Sequence, residues 1–266
     1  MMAEGHVGGQ PVGGPTVGVT RRGMLKGAGA VGAGALAARA LLLRSAARDS
    51  SAIQQALNIA ITAESLAVTF YGVARKLNDD GKLDIKDLIP YVESVQCEEQ
   101  AHYNFLDAAG ATPLVTSFTI PEAAVKDKAS FLGAVVGLET IFVSAYLTAA
   151  RLMAQEGELQ LVEIAYEIGA IEAQHLVLAK AASGAQPPND RAFAQRIYDD
   201  LNQAVQALKE AGYIGGAGTK YDAPGPEDPV CRGIFGLVPE TTQAATPAAS
   251  PVASPAASPA AATPAP

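Results

Sequence analysis

Two short stretches of the sequence share one informative spacing: EEQAHYNFLDAAGA at residues 98–111 and IEAQHLVLA at residues 171–179. Each stretch contains a glutamate followed three residues later by a histidine: Glu99 and His102 in the first, Glu172 and His175 in the second. On an α-helix, this spacing places both side chains on one face, close enough to bind the same ion. The pattern therefore predicts two helices that contribute metal ligands.

Apolar residues recur at three- and four-residue intervals around both stretches, and the same period predicts four long helices near residues 51–78, 90–108, 129–156 and 158–183. The glutamate and histidine of each pair fall in the apolar stripe, where Leu or Ile would normally face a core. The other two helices each carry one glutamate in the same register, Glu64 and Glu139. Glu98 lies off the stripe, so Glu99 is the better ligand candidate.

The lengths of the connections predict how the helices are arranged. A single glycine, Gly157, separates the third and fourth helices, which makes them antiparallel neighbours. Residues 107–128 join the second helix to the third, and about twenty extended residues could reach some 65 Å, enough to cross a bundle. A further helix near 190–211 is predicted from a third stripe, Phe193, Ile197, Leu201, Val205 and Leu208. The expected fold is an all-α four-helix bundle with one long crossover and a fifth, C-terminal helix.

The chain also repeats itself internally. Glu64 and Tyr71 recur as Glu139 and Tyr146 at an offset of 75 residues, and the two Glu-x-x-His pairs recur at an offset of 73. Two helix pairs, each offering one Glu and one Glu-x-x-His, would face each other across a pseudo-two-fold axis. Tyr71 and Tyr146 could hydrogen-bond to ligands or relay electrons in catalysis, or they could be amphipathic core tyrosines.

Charge favours metal binding at these six residues. Four unpaired carboxylates in one apolar core would each cost on the order of several kcal/mol or would become protonated. Two divalent cations supply four positive charges and leave the imidazoles neutral. Oxygen and imidazole ligands suit Fe or Mn, whereas an all-oxygen Ca²⁺ site would not use histidine. The alternative is a set of buried polar residues held by hydrogen bonds.

The overall composition excludes some classes of protein. The net charge of −8 argues against binding nucleic acid, which requires clustered Lys and Arg. Cys97 and Cys231 are the two cysteines, so a rubredoxin-type four-cysteine centre is excluded. They could form one disulfide after export, or Cys97 could be a small buried apolar residue.

Both ends of the chain differ in composition from its middle. Arg21 and Arg22 precede a short Gly/Ala-rich apolar stretch, a pattern typical of a twin-arginine export signal, here residues 1–40. The apolar run is too short to span a bilayer, so no integral membrane span is expected. The bundle is predicted to occupy residues 51–211, followed by an irregular wrapping segment at 212–240. The Ala-, Pro-, Ser- and Thr-rich residues 241–266 are expected to be a disordered tail.

Residues 52–194 resemble the ferritin-like superfamily, and most of all its exported branch related to plant desiccation-associated proteins. ALNIAITAESLAVTFYGVA at 56–74 and LETIFVSAYLTAA at 138–150 carry the resemblance together with the two opening stretches. The resemblance implies a di-iron, dimanganese or mixed centre held by Glu64, Glu99, His102, Glu139, Glu172 and His175. It implies redox chemistry on O₂ or H₂O₂, as an oxidase, a peroxidase with an external electron donor or a catalase-like enzyme. A non-catalytic stress protein with a structural metal site, or an iron-storage oligomer, are the alternatives.

Export by the twin-arginine route would let the protein fold around its metal before it meets the tighter-binding Cu and Zn of the cell envelope. We therefore expect Arg21→Lys combined with Arg22→Lys to leave folded, metal-loaded precursor in the cytoplasm. Fractionation of cells expressing the double mutant measures this. Arrival of the mutant in the periplasm, cell wall or medium would show that the export interpretation is wrong.

Overall fold

The apolar periodicity of the middle of the chain produces four long helices. The computed structural model describes residues 39–41, 44, 50–223 and 231, and its main elements are α1 Ser51–Asp79, α2 Ile89–Ala108, α3 Lys128–Gln155 and α4 Leu159–Ala182. The predicted all-α bundle is confirmed, and each helix end lies within one residue of its expected position. Most of the predicted export signal, all of the tail at 241–266, and residues 224–230 and 232–240 lie outside the described residues.

Local capping explains why the helices begin and end at these residues. The side chain of Ser50 accepts a hydrogen bond from Ile53 N at the start of α1, and Asp127 accepts one from Ser130 N at the start of α3. Such N-caps satisfy backbone donors that have no partner within the helix. Gly157 follows α3 with a φ of 81°, a left-handed conformation that ends the helix and lets α4 begin at once.

The helices pack as two pairs, α1 with α2 and α3 with α4. Gly169 of α4 allows a close approach, since a Cβ atom placed there would lie 3.0 Å from the Cβ of Tyr146 on α3. Residues 109–127 form the crossover between the pairs. Its first part follows α1, because Thr112 N donates to Asn58 at 2.8 Å and Leu114 N donates to Thr62 at 2.8 Å.

The core consists of two apolar layers with a polar layer between them. One layer packs Leu66 and Phe70 of α1 with Phe131 of α3, and the other packs Leu57 of α1 with Leu161 of α4. The glutamates and histidines singled out in the sequence lie at mid-helix positions between these two layers. The bundle therefore surrounds their carboxylates with apolar surface on both sides.

A two-stranded sheet joins the crossover to the segment after the fifth helix, and no pattern in the sequence predicts it. Strand β1 (Ser117–Ile120) pairs antiparallel with β2 (Thr219–Asp222), so that Ser117 lies opposite Asp222. Because the paired segments are about a hundred residues apart, the pairing is a tertiary contact that local patterns do not encode. It fixes residues 219–222 against the crossover.

The predicted helix near 190–211 begins too early, since α5 spans only Leu201–Glu210. Asp200 caps it, and its partner in a capping box is Gln203. Such a box is a strong signal for a helix start. The preceding residues lie outside any helix, and Phe193, counted in the apolar stripe, is 84% exposed.

Hydrogen bonds from α3 hold the chain extended just before α5. Ser144 Oγ accepts from Ile197 N at 2.7 Å, and Thr148 Oγ1 donates to the carbonyl of Tyr198 at 3.0 Å. The N–H of Ile197 and the carbonyl of Tyr198 are therefore bonded to α3 and do not form the backbone hydrogen bonds of a longer helix. Tertiary contact therefore overrides the local periodicity of residues 190–200.

Two of the core helices are also long and apolar enough to cross a bilayer. By length and composition, α1 and α3 both pass this test, with mean hydropathies of 1.3 and 1.7 over an 18-residue window. In each, more than half of that window is buried inside the bundle. Core packing therefore accounts for their apolar composition.

The two cysteines form a disulfide. Cys97 of α2 is bonded to Cys231, with Cα atoms 5.1 Å apart and 134 residues between them in sequence. The alternative, in which Cys97 is only a small buried apolar residue, is wrong, although Cys97 is indeed buried. The bond attaches Cys231 to α2.

Removing this bond should destabilise the protein. Either Cys97→Ser or Cys231→Ser should lower the free energy of unfolding by about 2–5 kcal/mol, because a long loop in the unfolded chain is released. Chemical denaturation measures the loss, and both variants should lose the same amount. Thiol titration of unfolded, unreduced wild type should find no free thiol, and two free thiols would contradict the bridge.

Candidate metal centre

The six predicted ligands converge on the polar layer at the middle of the bundle. Each is brought there by its own helix register, one from α1, two from α2, one from α3 and two from α4. Five of the six side chains are 0–2% exposed, whereas His102 is 14% exposed. All six candidates identified from the sequence therefore lie in one buried cluster.

The donors divide into two groups of four that share two residues. Within each group, one donor atom from every residue lies within 4.8 Å of the others: Glu64, Glu99, His102 and Glu172 in the first group, and Glu99, Glu139, Glu172 and His175 in the second. Glu99 and Glu172 belong to both groups. The arrangement has room for two cations, with these two carboxylates between them.

The orientation of the shared carboxylates supports this division. Glu99 directs Oε2 towards His102 Nδ1 at 3.5 Å and Oε1 towards His175 Nδ1 at 3.0 Å. Glu172 does the same with Oε1 at 3.4 Å from His102 Nδ1 and Oε2 at 3.4 Å from His175 Nδ1. Each shared glutamate therefore presents one oxygen to each half of the site.

The tyrosines link the halves crosswise. Tyr71 of α1 donates a hydrogen bond of 2.6 Å to Glu139 of α3, and Tyr146 of α3 donates one to Glu64 of α1. Burial, followed by the charge of the accepting glutamate, raises the pKa of both hydroxyls well above its usual value. Both tyrosines therefore remain protonated donors that fix the two unshared glutamates.

Glu98 also belongs to the site, in a role that the sequence did not reveal. Its Oε2 lies 2.5 Å from Nε2 of His175, on the opposite side of the imidazole from the cluster. Glu98 precedes Glu99 on α2 and so lies beside the apolar stripe, from where it reaches α4. The available sequence signal was an acidic residue next to a predicted metal ligand. The contact with His175 itself depends on the packing of α2 beside α4, which the sequence pattern does not show.

The electrostatics show what this cluster requires. Burial raises the pKa of Glu64 and Glu139 well above the ordinary value, and nearby Glu172 and Glu99 raise both further. Burial opposes charge on the histidines, but the carboxylates outweigh it and raise the pKa of His102 and His175. Without cations, the folded site must therefore hold protons that these groups would release in the unfolded chain.

The buried atoms fit a pair of metal ions. Within the described residues, both carboxylate oxygens of Glu99 and Glu172, one of Glu139, and Nδ1 of both histidines are buried without a hydrogen-bond partner. Unpaired buried polar atoms are uncommon, because each costs about 1–3 kcal/mol. Here they face one another across 3.0–3.8 Å, where cations between them would satisfy them together.

Comparison with protein families agrees with this geometry. Residues 52–185, half of the chain, match a family described as the ferritin-like domain. The matched range contains all six donors, both tyrosines and Glu98. Neither the curated proteins nor the solved structures give a match.

Metal ions should stabilise the fold by replacing the protons that the metal-free site must hold on its carboxylates and histidines. At a free-ion concentration 1,000 times Kd, one site contributes about 4 kcal/mol, so the loaded protein should melt about 10 °C above the metal-free protein at pH 7. The pKa values of Glu64 and Glu139 are higher folded than unfolded, so the metal-free protein loses stability as pH rises above the ordinary value of 4.5. The difference in Tm should therefore widen between pH 5 and pH 8. Calorimetry of both forms measures it.

A charge-removing variant gives the matched control. Glu64→Gln should reduce metal binding, yet at pH 7 it should raise the Tm of the metal-free protein, because the buried carboxyl at this position, whose pKa is raised by burial, no longer has to take up a proton on folding. Glu163→Gln, at an exposed position of α4, should change neither quantity. Equal melting temperatures for loaded and metal-free wild type would contradict a metal site in the core.

Proposed function

We propose, since this chain belongs to the ferritin-like domain family, that it is an exported oxidoreductase whose di-iron or dimanganese centre reacts with O₂ or H₂O₂. One observation carries the proposal: two four-donor groups that share Glu99 and Glu172 lie in a single buried layer. A single structural ion would need only one such group. Two adjacent ions are the arrangement suited to a two-electron reaction at a small oxidant.

The ligand chemistry supports Fe or Mn. Four carboxylates balance the charge of two divalent ions, and the two imidazoles then bind as neutral ligands. Carboxylate with imidazole suits these metals, whereas structural Zn²⁺ favours thiolates and Ca²⁺ favours oxygen alone. The chain's two cysteines are joined to each other and offer no thiolate.

Bound redox ions would supply the electrons that an O₂ or H₂O₂ molecule exchanges, while the protein positions the groups around it. Tyr71 and Tyr146 hold Glu139 and Glu64 by hydrogen bonds, so these glutamates keep their direction during a change of metal charge. The apolar layers pack against both sides of the centre and surround it with apolar side chains. The small exposed part of His102 marks the side from which a small oxidant could approach.

The source of electrons separates the enzymatic alternatives. A peroxidase or oxidase needs an external donor, and among the described residues the disulfide leaves no free cysteine to act as one. Dismutation of peroxide needs none, because two H₂O₂ give two H₂O and one O₂. We favour peroxide dismutation or externally driven reduction as the reaction of this centre.

The disulfide supports an extracytoplasmic location. Stable disulfides are typical of oxidising compartments and rare in the cytosol of most cells. The Arg21–Arg22 pair ahead of a short apolar stretch independently fits export. Together they favour the cell envelope or its exterior as the place of action.

Turnover of H₂O₂ by reconstituted protein tests this function. Metal-free protein loaded anaerobically with Fe²⁺ or Mn²⁺ should consume H₂O₂ at least tenfold faster than the same concentration of free ion, a difference of about 1.4 kcal/mol in barrier. Oxygen evolution at half the peroxide consumed identifies dismutation. Consumption of H₂O₂ that requires added ascorbate and evolves no O₂ identifies a peroxidase.

Two variants separate the catalytic role from metal binding. Tyr71→Phe and Tyr146→Phe should retain the metal, yet lower the turnover of H₂O₂ about tenfold because Glu139 or Glu64 loses its hydrogen bond. Tyr166→Phe, at an exposed position of α4, is the control and should match wild type. A fully loaded wild type that does not consume peroxide above the rate of free ion would instead identify a structural metal site.

A further inference from the structure

The two halves of the centre differ, although the chain repeats itself. We infer that Glu98 makes the metal position beside His175 the tighter one, which fills first and releases slowly, and that the position beside His102 is exchangeable. The inference rests on the proposed metal centre and assigns a positioning role to Glu98.

The internal repeat shows where the symmetry breaks. An offset of 73 residues relates Glu99 to Glu172 and His102 to His175. The same offset relates Glu98 to Ile171, which has no charge and cannot accept a hydrogen bond. A carboxylate therefore contacts one histidine of the pair, whereas the residue at the equivalent position of the repeat, Ile171, has an aliphatic side chain.

The contact of Glu98 fixes how His175 faces the site. A carboxylate 2.5 Å from Nε2 accepts a hydrogen bond from N–H there, so the lone pair of a neutral imidazole lies on Nδ1. Nδ1 is the atom directed at the cluster, 3.0 Å from Glu99. Tyr91 of α2 also donates to the backbone carbonyl of His175 at 3.3 Å. The ring is therefore already oriented as a metal ligand.

His102 lacks this support. Its Nδ1 faces the cluster at 3.4 Å from both Glu64 and Glu172, but among the described residues no side chain hydrogen-bonds to its Nε2. Its side chain is 14% exposed, against 1% for His175. Within the part of the chain that the structure describes, no side chain behind the His102 imidazole therefore fixes its tautomer or its orientation. The partial exposure of His102 also leaves this half of the site open to water.

These differences have a predictable effect on affinity. A carboxylate that holds a metal-binding histidine typically changes metal affinity by about 10–100-fold, because it sets the tautomer and raises the basicity of the ring. Mutual repulsion of two cations would also separate the binding steps, even at equal positions. Two binding steps alone therefore do not distinguish the positions, and each position must be tested separately.

Mn²⁺ alone serves as the probe, with the full-length protein prepared metal-free and loaded anaerobically. Calorimetric titration gives the affinities, and the metal remaining after timed exposure to EDTA gives the release rates. The variants are His102→Ala, His175→Ala and Glu98→Gln, which keeps the size of the side chain. Glu93→Gln, another glutamate of α2, is the control. Circular dichroism and the Tm of the metal-free form check that each variant folds.

Wild type should bind two Mn²⁺, one released slowly and one quickly. His102→Ala should keep the slow ion, whereas His175→Ala should keep only a fast one. Glu98→Gln should bind the first ion 10–100-fold more weakly and release both quickly, and Glu93→Gln should behave as wild type.

The inference is overturned if His102→Ala and His175→Ala behave alike, or if folded Glu98→Gln matches wild type. The comparison of the two histidine variants decides the question even if Glu98→Gln does not fold. Failure of wild type to bind any Mn²⁺ or Fe²⁺ would remove the proposed centre itself, which distinguishes that result from failure of the inference.

Discussion

Four glutamates buried in one layer of an apolar bundle impose the main energetic requirement on this structure. Glu64, Glu99, Glu139 and Glu172 are each at most 2% exposed. An isolated buried carboxylate costs several kcal/mol, and four close together repel one another as well. A bundle with this core is therefore stable only if positive charge, from protons or from metal ions, occupies the space between them. The capped helices, the two apolar layers and the tyrosine hydrogen bonds all hold the donors around that space.

The internal repeat explains both the regularity of the centre and its exceptions. Each helix pair contributes the same set of ligands, and each tyrosine reaches the glutamate of the other pair, so the two halves hold each other in place. The exceptions all involve α2. Glu98 contacts His175, whereas the equivalent residue of the repeat is Ile171, and Cys97 of the same helix is bonded to Cys231. A repeat that is broken on one helix would give a centre with two unequal positions.

Much of this arrangement could be predicted from the sequence because it depends on local order. Helix periodicity and strong end signals such as Gly157 located α1 to α4 within one residue, and the register placed the six donors on inward faces. The features that were missed, and the disulfide that was left open, depend on tertiary contacts. The pairing of β1 with β2, the bond between Cys97 and Cys231, and the contact of Glu98 with His175 join residues far apart in sequence. The helix predicted from residue 190 was wrong for the same reason, since Ser144 and Thr148 bind the backbone there.

Anomalous X-ray scattering from crystals of Mn-loaded protein would show whether two ions bind inside the bundle. Data collected on both sides of the manganese edge locate the ions without reference to activity. We expect two peaks in the polar layer, one beside His102 and one beside His175, with Glu99 and Glu172 between them. A single peak, or peaks only at the protein surface with the six buried side chains unchanged, would contradict a two-metal centre in this bundle.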